Sequence, residues 1–151
     1  MNKFEIHMHS TFSDGEFSPT KLVDIAKSNG VSVLCLTDHD TFEGIQEFLS
    51  AAKAEQIFAF PGIEITVRYR GFNLHLLAYF ESAESLSDEL SHEVMKMASR
   101  REQRMRELIG RINQVIPEKF RGTIDYENVR RAAEGVLARP HLAKEMVRLG
   151  I

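Results

Sequence analysis

Two histidines stand one residue apart near the start of the chain, in His7-Met8-His9. On a strand, residues two apart project from the same face, so both imidazoles reach toward a single ion. Asp14 follows in a Ser13-Asp14-Gly15 turn, just past the predicted strand end. Thr37-Asp38-His39-Asp40 comes directly after an apolar run. Three consecutive ionisable side chains there are costly unless they meet solvent, a metal or a substrate. Asp40 with Glu43 has the spacing of a capping box, which accounts for Asp40 but not for Asp38 or His39. Glu64 follows Pro61-Gly62-Ile63, and His75 lies between Leu74 and Leu76. Singly, each has an ordinary explanation, and His75 alone reads as a hydrogen-bonded core histidine. Their recurrence beside successive strands points to chemistry. Nitrogen and carboxylate donors without cysteine suit zinc, manganese or iron. The cluster has ligands for two or three ions, with a carboxylate such as Glu64 bridging them. Such a site clamps phosphate and generates a hydroxide nucleophile at neutral pH.

The elements that must position these residues alternate over the first eighty or so positions. Phe4, Ile6 and Met8 alternate with Glu5, His7 and His9, the period of a strand with two distinct faces. Ser18-Pro19 opens a helix whose apolar stripe is Leu22, Val23, Ile25 and Ala26, and Gly30 ends it. Val31–Leu36 reads as a strand covered on both faces. A helix from the Asp40 cap to about Lys53 is expected next. A third strand region follows, in two pieces broken by Pro61-Gly62. A fourth, Leu74–Phe80, is hairpinned to it through Gly71. This order predicts an α/β fold with a largely parallel sheet, whose strand ends gather the chemistry on one face.

The pattern then changes. Between Leu86 and Ile116 apolar residues recur at helical spacing, in one long amphipathic helix or two with a break. Its other face carries Arg100, Arg101, Arg104, Arg106 and Arg111. Further helices are expected from about Asp125 and from about Pro140 to Gly150. The chain therefore divides into an α/β part, 1–81, and a helical part, 82–151.

Composition narrows the class. Over 151 residues, 43% hydrophobic and 27% charged content indicates a folded globular protein. A net charge of −3 gives no bulk attraction to nucleic acid or membrane. No apolar run is long enough to span a bilayer, and none resembles a signal-peptide core. The single cysteine, Cys35, rules out an internal disulfide and suits a reducing cytoplasm. A cytoplasmic protein is expected.

HMHSTFSDG, LTDHD, PGIE and the histidine of NLHLLAY, in that order over residues 4–80, resemble the PHP family, named for polymerase and histidinol phosphatase. The resemblance implies an irregular (β/α)7 barrel with a trinuclear metal site, of which this chain would supply about four strands. By motif, His7 and His9 would bind one ion and Asp14 and His39 another. Glu64 would bridge two ions and His75 would complete the third shell, with Asp14, His39 and Glu64 closest to the chemistry. The helical part, with SRREQRMRELI and ARPHLAKEMVRLG, resembles a branch of nucleotide phosphatases and small-RNA exonucleases. Those enzymes act on 3′,5′-bisphosphorylated nucleotides or on the 5′ ends of short RNAs. There Arg101, Arg104, Arg139 and His141 would contact substrate phosphate or base, as guanidinium geometry favours. Arg139-Pro140-His141 also opens a helix, itself an anion site. Two other readings stand beside this one: a different phosphatase such as a histidinol phosphatase, or a non-catalytic metal- or nucleotide-binding fragment. Family members continue with a further histidine and a late Asp-x-His. The expectation is therefore a half-barrel that is a poor catalyst and pairs with a second copy through its open sheet edge.

Overall fold

The computed structural model describes residues 3–151. The alternating N-terminal segment forms β1, Lys3–Met8. Helix α1, Pro19–Ser28, starts where Ser18 Oγ accepts the Lys21 N–H and proline fills the first helical position. The apolar run becomes β2, Val31–Leu36, and α2 follows at Ile45–Ala54. Strand β3, Phe58–Tyr69, turns directly into β4, Phe72–Tyr79. Arg70 and Gly71 form that turn with φ of 47° and 87°. Two positive φ values are what a type I′ hairpin requires, and glycine supplies one without strain.

The sheet order is β1-β2-β3-β4, parallel except for the antiparallel β3–β4 pair. Strand β3 serves two neighbours. Its start pairs with β2 as far as Leu36 opposite Pro61, and Gly62–Tyr69 pairs with β4. The sequence reading expects a break at Pro61-Gly62, yet the strand runs through. Proline lacks an N–H and so stands where the ladder changes partners, while its carbonyl accepts the Phe80 N–H at 2.9 Å. Beyond β2 the chain stays beside β3, with Glu64 N–H donating to Asp38 O and Asp40 N–H to Glu64 O, both at 3.1 Å. These bonds set Glu64 and His39 side by side.

Asp40 is not the helix cap its spacing implies. Helix α2 starts at Gly44 without any side-chain cap. Asp40 instead takes a left-handed backbone, φ 50°, and is fully buried. Its Oδ1 accepts the Thr66 N–H at 2.7 Å and its Oδ2 pairs with Arg101 Nε.

The arginine-rich region is one unbroken helix, α3, Asp88–Val115, capped by Ser87 and led by Asp88 and Glu89 at its positive end. Two shorter helices follow, α4 at Tyr126–Arg131 and α5 at Arg139–Leu149, the latter ending at left-handed Gly150. Two apolar cores result. Val23, Leu34, Leu36, Ile45 and Phe48 lie between sheet and helices, and Met105, Ile109, Ile124, Val129, Leu137 and Leu142 lie among α3, α4 and α5.

Candidate functional site

Six side chains named from the sequence meet at one place. Glu64, 6% exposed, is the hub. Its Oε2 lies 2.7 Å from His7 Nε2 and 3.0 Å from His9 Nε2, and its Oε1 lies 3.2 Å from His75 Nδ1. Asp14 faces His9 Nδ1 and His39 Nε2, each at 3.7 Å. The His9 and His39 rings stack with centroids 4.6 Å apart. Strand alternation carries His7 and His9 to the same side, as their spacing requires. His75 sits within β4, opposite Thr66, as its place in the fourth predicted strand implies, and β4 runs antiparallel to β3.

The donor atoms fall into three groups, each within 4.8 Å: His7, His9 and Glu64; His9, Asp14 and His39; His39, Glu64 and His75. Every pair of groups shares one residue, so the three close into a ring. Burial pushes the Glu64 carboxyl upward, but the His7 hydrogen bond and the nearby histidines outweigh it, leaving its pKa below the ordinary value. Burial also lowers the His39 pKa, against the pull of Asp14 and Glu64, so its ring stays neutral. A neutral imidazole is the form that binds metal. The Nδ1 atoms of His9 and His39 are buried without a hydrogen-bond partner. Such orphaned nitrogens are rare in a folded chain, and facing carboxylates they fit a divalent cation.

Asp38 holds this arrangement from behind. It is buried and accepts the Ser10 N–H at 2.6 Å, the Ser10 hydroxyl at 2.5 Å and the Ser13 hydroxyl at 2.6 Å. Burial raises its pKa, opposed by those same hydrogen bonds. The loop carrying Asp14 is thereby pinned to the end of β2. The helical part clasps the loop from the other side, where Val136 N–H donates to Phe12 O at 2.8 Å. A Cβ on the adjacent Gly135 would overlap the Phe12 carbonyl. Gly135→Ala is expected to cost about 1–3 kcal/mol, because backbone cannot swing aside as a side chain does. Gly110→Ala is the control: that site, inside α3, is exposed and open where a Cβ would go. It should gain about 0.5–1 kcal/mol. Urea denaturation of both variants reads the opposite signs.

A cleft of about 1070 Å³ opens from Asp14, His39 and His75. Arg101, Arg104 and Arg139 line it, as do Arg68, Arg100 and Arg111. Arg101 is tied to Asp40 and donates from Nη2 to Thr66 Oγ1 at 2.6 Å. His141 has a different position. It is 5% exposed, its Nδ1 accepts the Ala138 N–H at 3.0 Å to start α5, and burial lowers its pKa. Sequence reasoning flagged Asp38 as unexplained but missed its serine partners. It also missed Thr66 and Gly135, whose partners are distant in sequence.

The PHP domain family model matches residues 5–140. A 5′-3′ exoribonuclease of Haemophilus influenzae is 33% identical over 149 residues, which are 98% of this chain and 52% of that protein. A 3′,5′-nucleoside bisphosphate phosphatase of Chromobacterium violaceum is 34% identical over 77 residues, 51% of this chain and 27% of that protein. Among solved structures, a candidate metal-dependent phosphoesterase of Bifidobacterium adolescentis superposes with a TM-score of 0.85 at 26% identity. That superposition covers 99% of this chain and 51% of the other. The chain thus spans about half the length of the exoribonuclease it matches. Its four-stranded curled sheet is the half-barrel that the resemblance implies. With the family match reaching from β1 into α5, this chain belongs to the PHP family.

Proposed function

We propose that the protein is a metal-dependent phosphoesterase acting on 3′,5′-bisphosphorylated nucleotides or short oligoribonucleotides. The observation that carries this reading is the ring of three donor groups opening into an arginine-lined cleft. His7, His9, Asp14, His39, Glu64 and His75 are the ligands in this reading, for two or three divalent ions of manganese, zinc or iron. When bound, such ions supply Lewis acidity that makes water a usable nucleophile at neutral pH. The chain's own groups do the rest. Glu64 spans two donor groups and balances their charge. Asp14 and His39 face the cleft and hold its inner end, and Arg101, Arg104 and Arg139 neutralise substrate phosphate. His141 serves by setting the turn from which Arg139 projects. The α/β part, 1–81, supplies metal ligands and the helical part, 82–151, supplies phosphate contacts. Among the described residues no helix is long and apolar enough to cross a membrane, and a single free cysteine, Cys35, suits a reducing cytoplasm.

Manganese-supplemented full-length protein should release orthophosphate from a 3′,5′-bisphosphorylated nucleotide, or mononucleotides from a 5′-phosphorylated short RNA, and His9→Ala should abolish both. Retained turnover in His9→Ala, or none in the wild type on either substrate, defeats the assignment. Arg139→Ala is expected to raise KM by the equivalent of about 1.5–3 kcal/mol, the yield of a charge-assisted hydrogen bond. An unchanged KM and kcat would leave Arg139 only a structural part of the helix start.

A further inference from the structure

The cleft is larger and more basic than a single phosphate requires. Along β3, Thr66 and Arg68 line it, Glu64 lies on their side of the strand by alternation, and the hairpin register sets His75 opposite Thr66 and Asn73 opposite Arg68. A polar ladder therefore runs from the metal-ligand cluster to the turn at Gly71. At strand spacing Arg68 lies about 13 Å beyond Glu64, in two steps of about 6.6 Å. Each step is on the scale of one nucleotide in an extended single strand. Across the cleft, Arg104 and Arg111 stand two turns apart on one face of α3, about 10.5 Å along its axis.

Several cations outside the cleft are engaged, Arg106 over the Tyr126 ring, Arg130 with Glu102, Arg148 with Glu145 and Lys96 with Glu93. What distinguishes the cleft is the gathering of its arginines on facing walls. Among the described residues, no carboxylate lies within 4.0 Å of Arg68, Arg100, Arg104 or Arg111. Unpaired guanidinium groups facing each other across a cleft concentrate anions. The lining includes no Phe, Tyr or Trp among the described residues, so base stacking falls to histidine rings and guanidinium planes, which accept every base alike.

We infer that this cleft is a phosphate track, in which Arg68, Asn73, Arg104 and Arg111 hold the second and third phosphates of a short single-stranded oligonucleotide whose terminal phosphate lies at the metal-ligand cluster. The inference rests on the phosphoesterase reading and deepens it. Affinity then counts phosphates and ignores base identity.

Fluorescently labelled oligoribonucleotides with phosphorothioate linkages, carrying one to four phosphates, test this by anisotropy with manganese present. In the wild type, affinity should rise about tenfold with each phosphate up to three and then level off. It should be equal for oligo-A and oligo-U. R68A/R111A should lose most of that rise, with mononucleotide affinity changed less than about twofold. Its salt slope for the trinucleotide should shrink by about 1.4, two phosphate contacts at the single-strand value. Both arginines are exposed, and R68Q/R111Q replaces the alanine pair should the latter lose its far-ultraviolet dichroism. A wild type that binds one phosphate as tightly as three overturns the track and leaves the phosphoesterase reading standing. So does a variant that weakens mononucleotide and trinucleotide equally. A wild type that binds no ligand of the series defeats both readings.

Discussion

Glu64→Ala is expected to lower divalent-metal affinity by at least about 100-fold. Removing a group that only orients a ligand already costs about 10–100-fold, and Glu64 contributes oxygen to two of the three donor groups. Its carboxylate also lies among His7, His9, His39 and His75. Without that charge, cations in neighbouring positions repel one another with nothing between them. Glu64→Gln separates shape from charge. The amide fills the same space and keeps one oxygen donor but carries no charge, so affinity should fall between wild type and alanine. Manganese titration by calorimetry, with elemental analysis of the dialysed proteins, measures both variants. Equal metal stoichiometry and affinity in Glu64→Ala and wild type would remove Glu64 from the centre.

Arg101→Ala should be the most destabilising of the arginine substitutions, by about 3 kcal/mol, although Arg101 belongs to a helix face rich in exposed charge. Breaking a buried ion pair by removing one partner costs about 3–5 kcal/mol, because the remaining charge stays buried alone. The lower end applies because 19% of the Arg101 side chain stays exposed, whereas its partner Asp40 is 1% exposed. Thermal midpoint should drop by about 6–12 °C for a chain of this size. Adding Asp40→Asn should restore much of the loss, since a neutral amide needs no cation, while Arg104→Ala alone should stay within about 0.5 kcal/mol. Equal midpoints for Arg101→Ala and Arg104→Ala would show that the Asp40 pair contributes nothing.

Residues whose signal is local in the chain were legible. The two-residue period put His7 and His9 on one face, Ser18-Pro19 announced α1, and Gly71 announced the hairpin. Glu64 and His75 stood out because apolar strands seldom carry ionisable groups without a partner. Asp40 was misread because a capping-box spacing is a local pattern that many conformations satisfy. Its actual partners, Thr66 and Arg101, are far away in sequence. The same distance hid the Asp38 clasp on Ser10 and Ser13 and the fit of Gly135 against Phe12. Pro61 misled for another reason. Proline usually ends a strand, but here it occupies the one position where the ladder changes partners and needs no N–H.

The hydrogen bond from Val136 to Phe12 ties together the two parts of the chain to which metal ligation and phosphate contact are assigned in the proposed function. One end belongs to the loop that presents Asp14, and the other lies three residues before Arg139. Free energies of binding are reciprocal, so two ligands that share such a joint obey one coupling constant. In the proposed function, whatever factor phosphate at Arg139 contributed to the affinity for a cation at Asp14, that cation would contribute to phosphate affinity, and titration from either side would measure it.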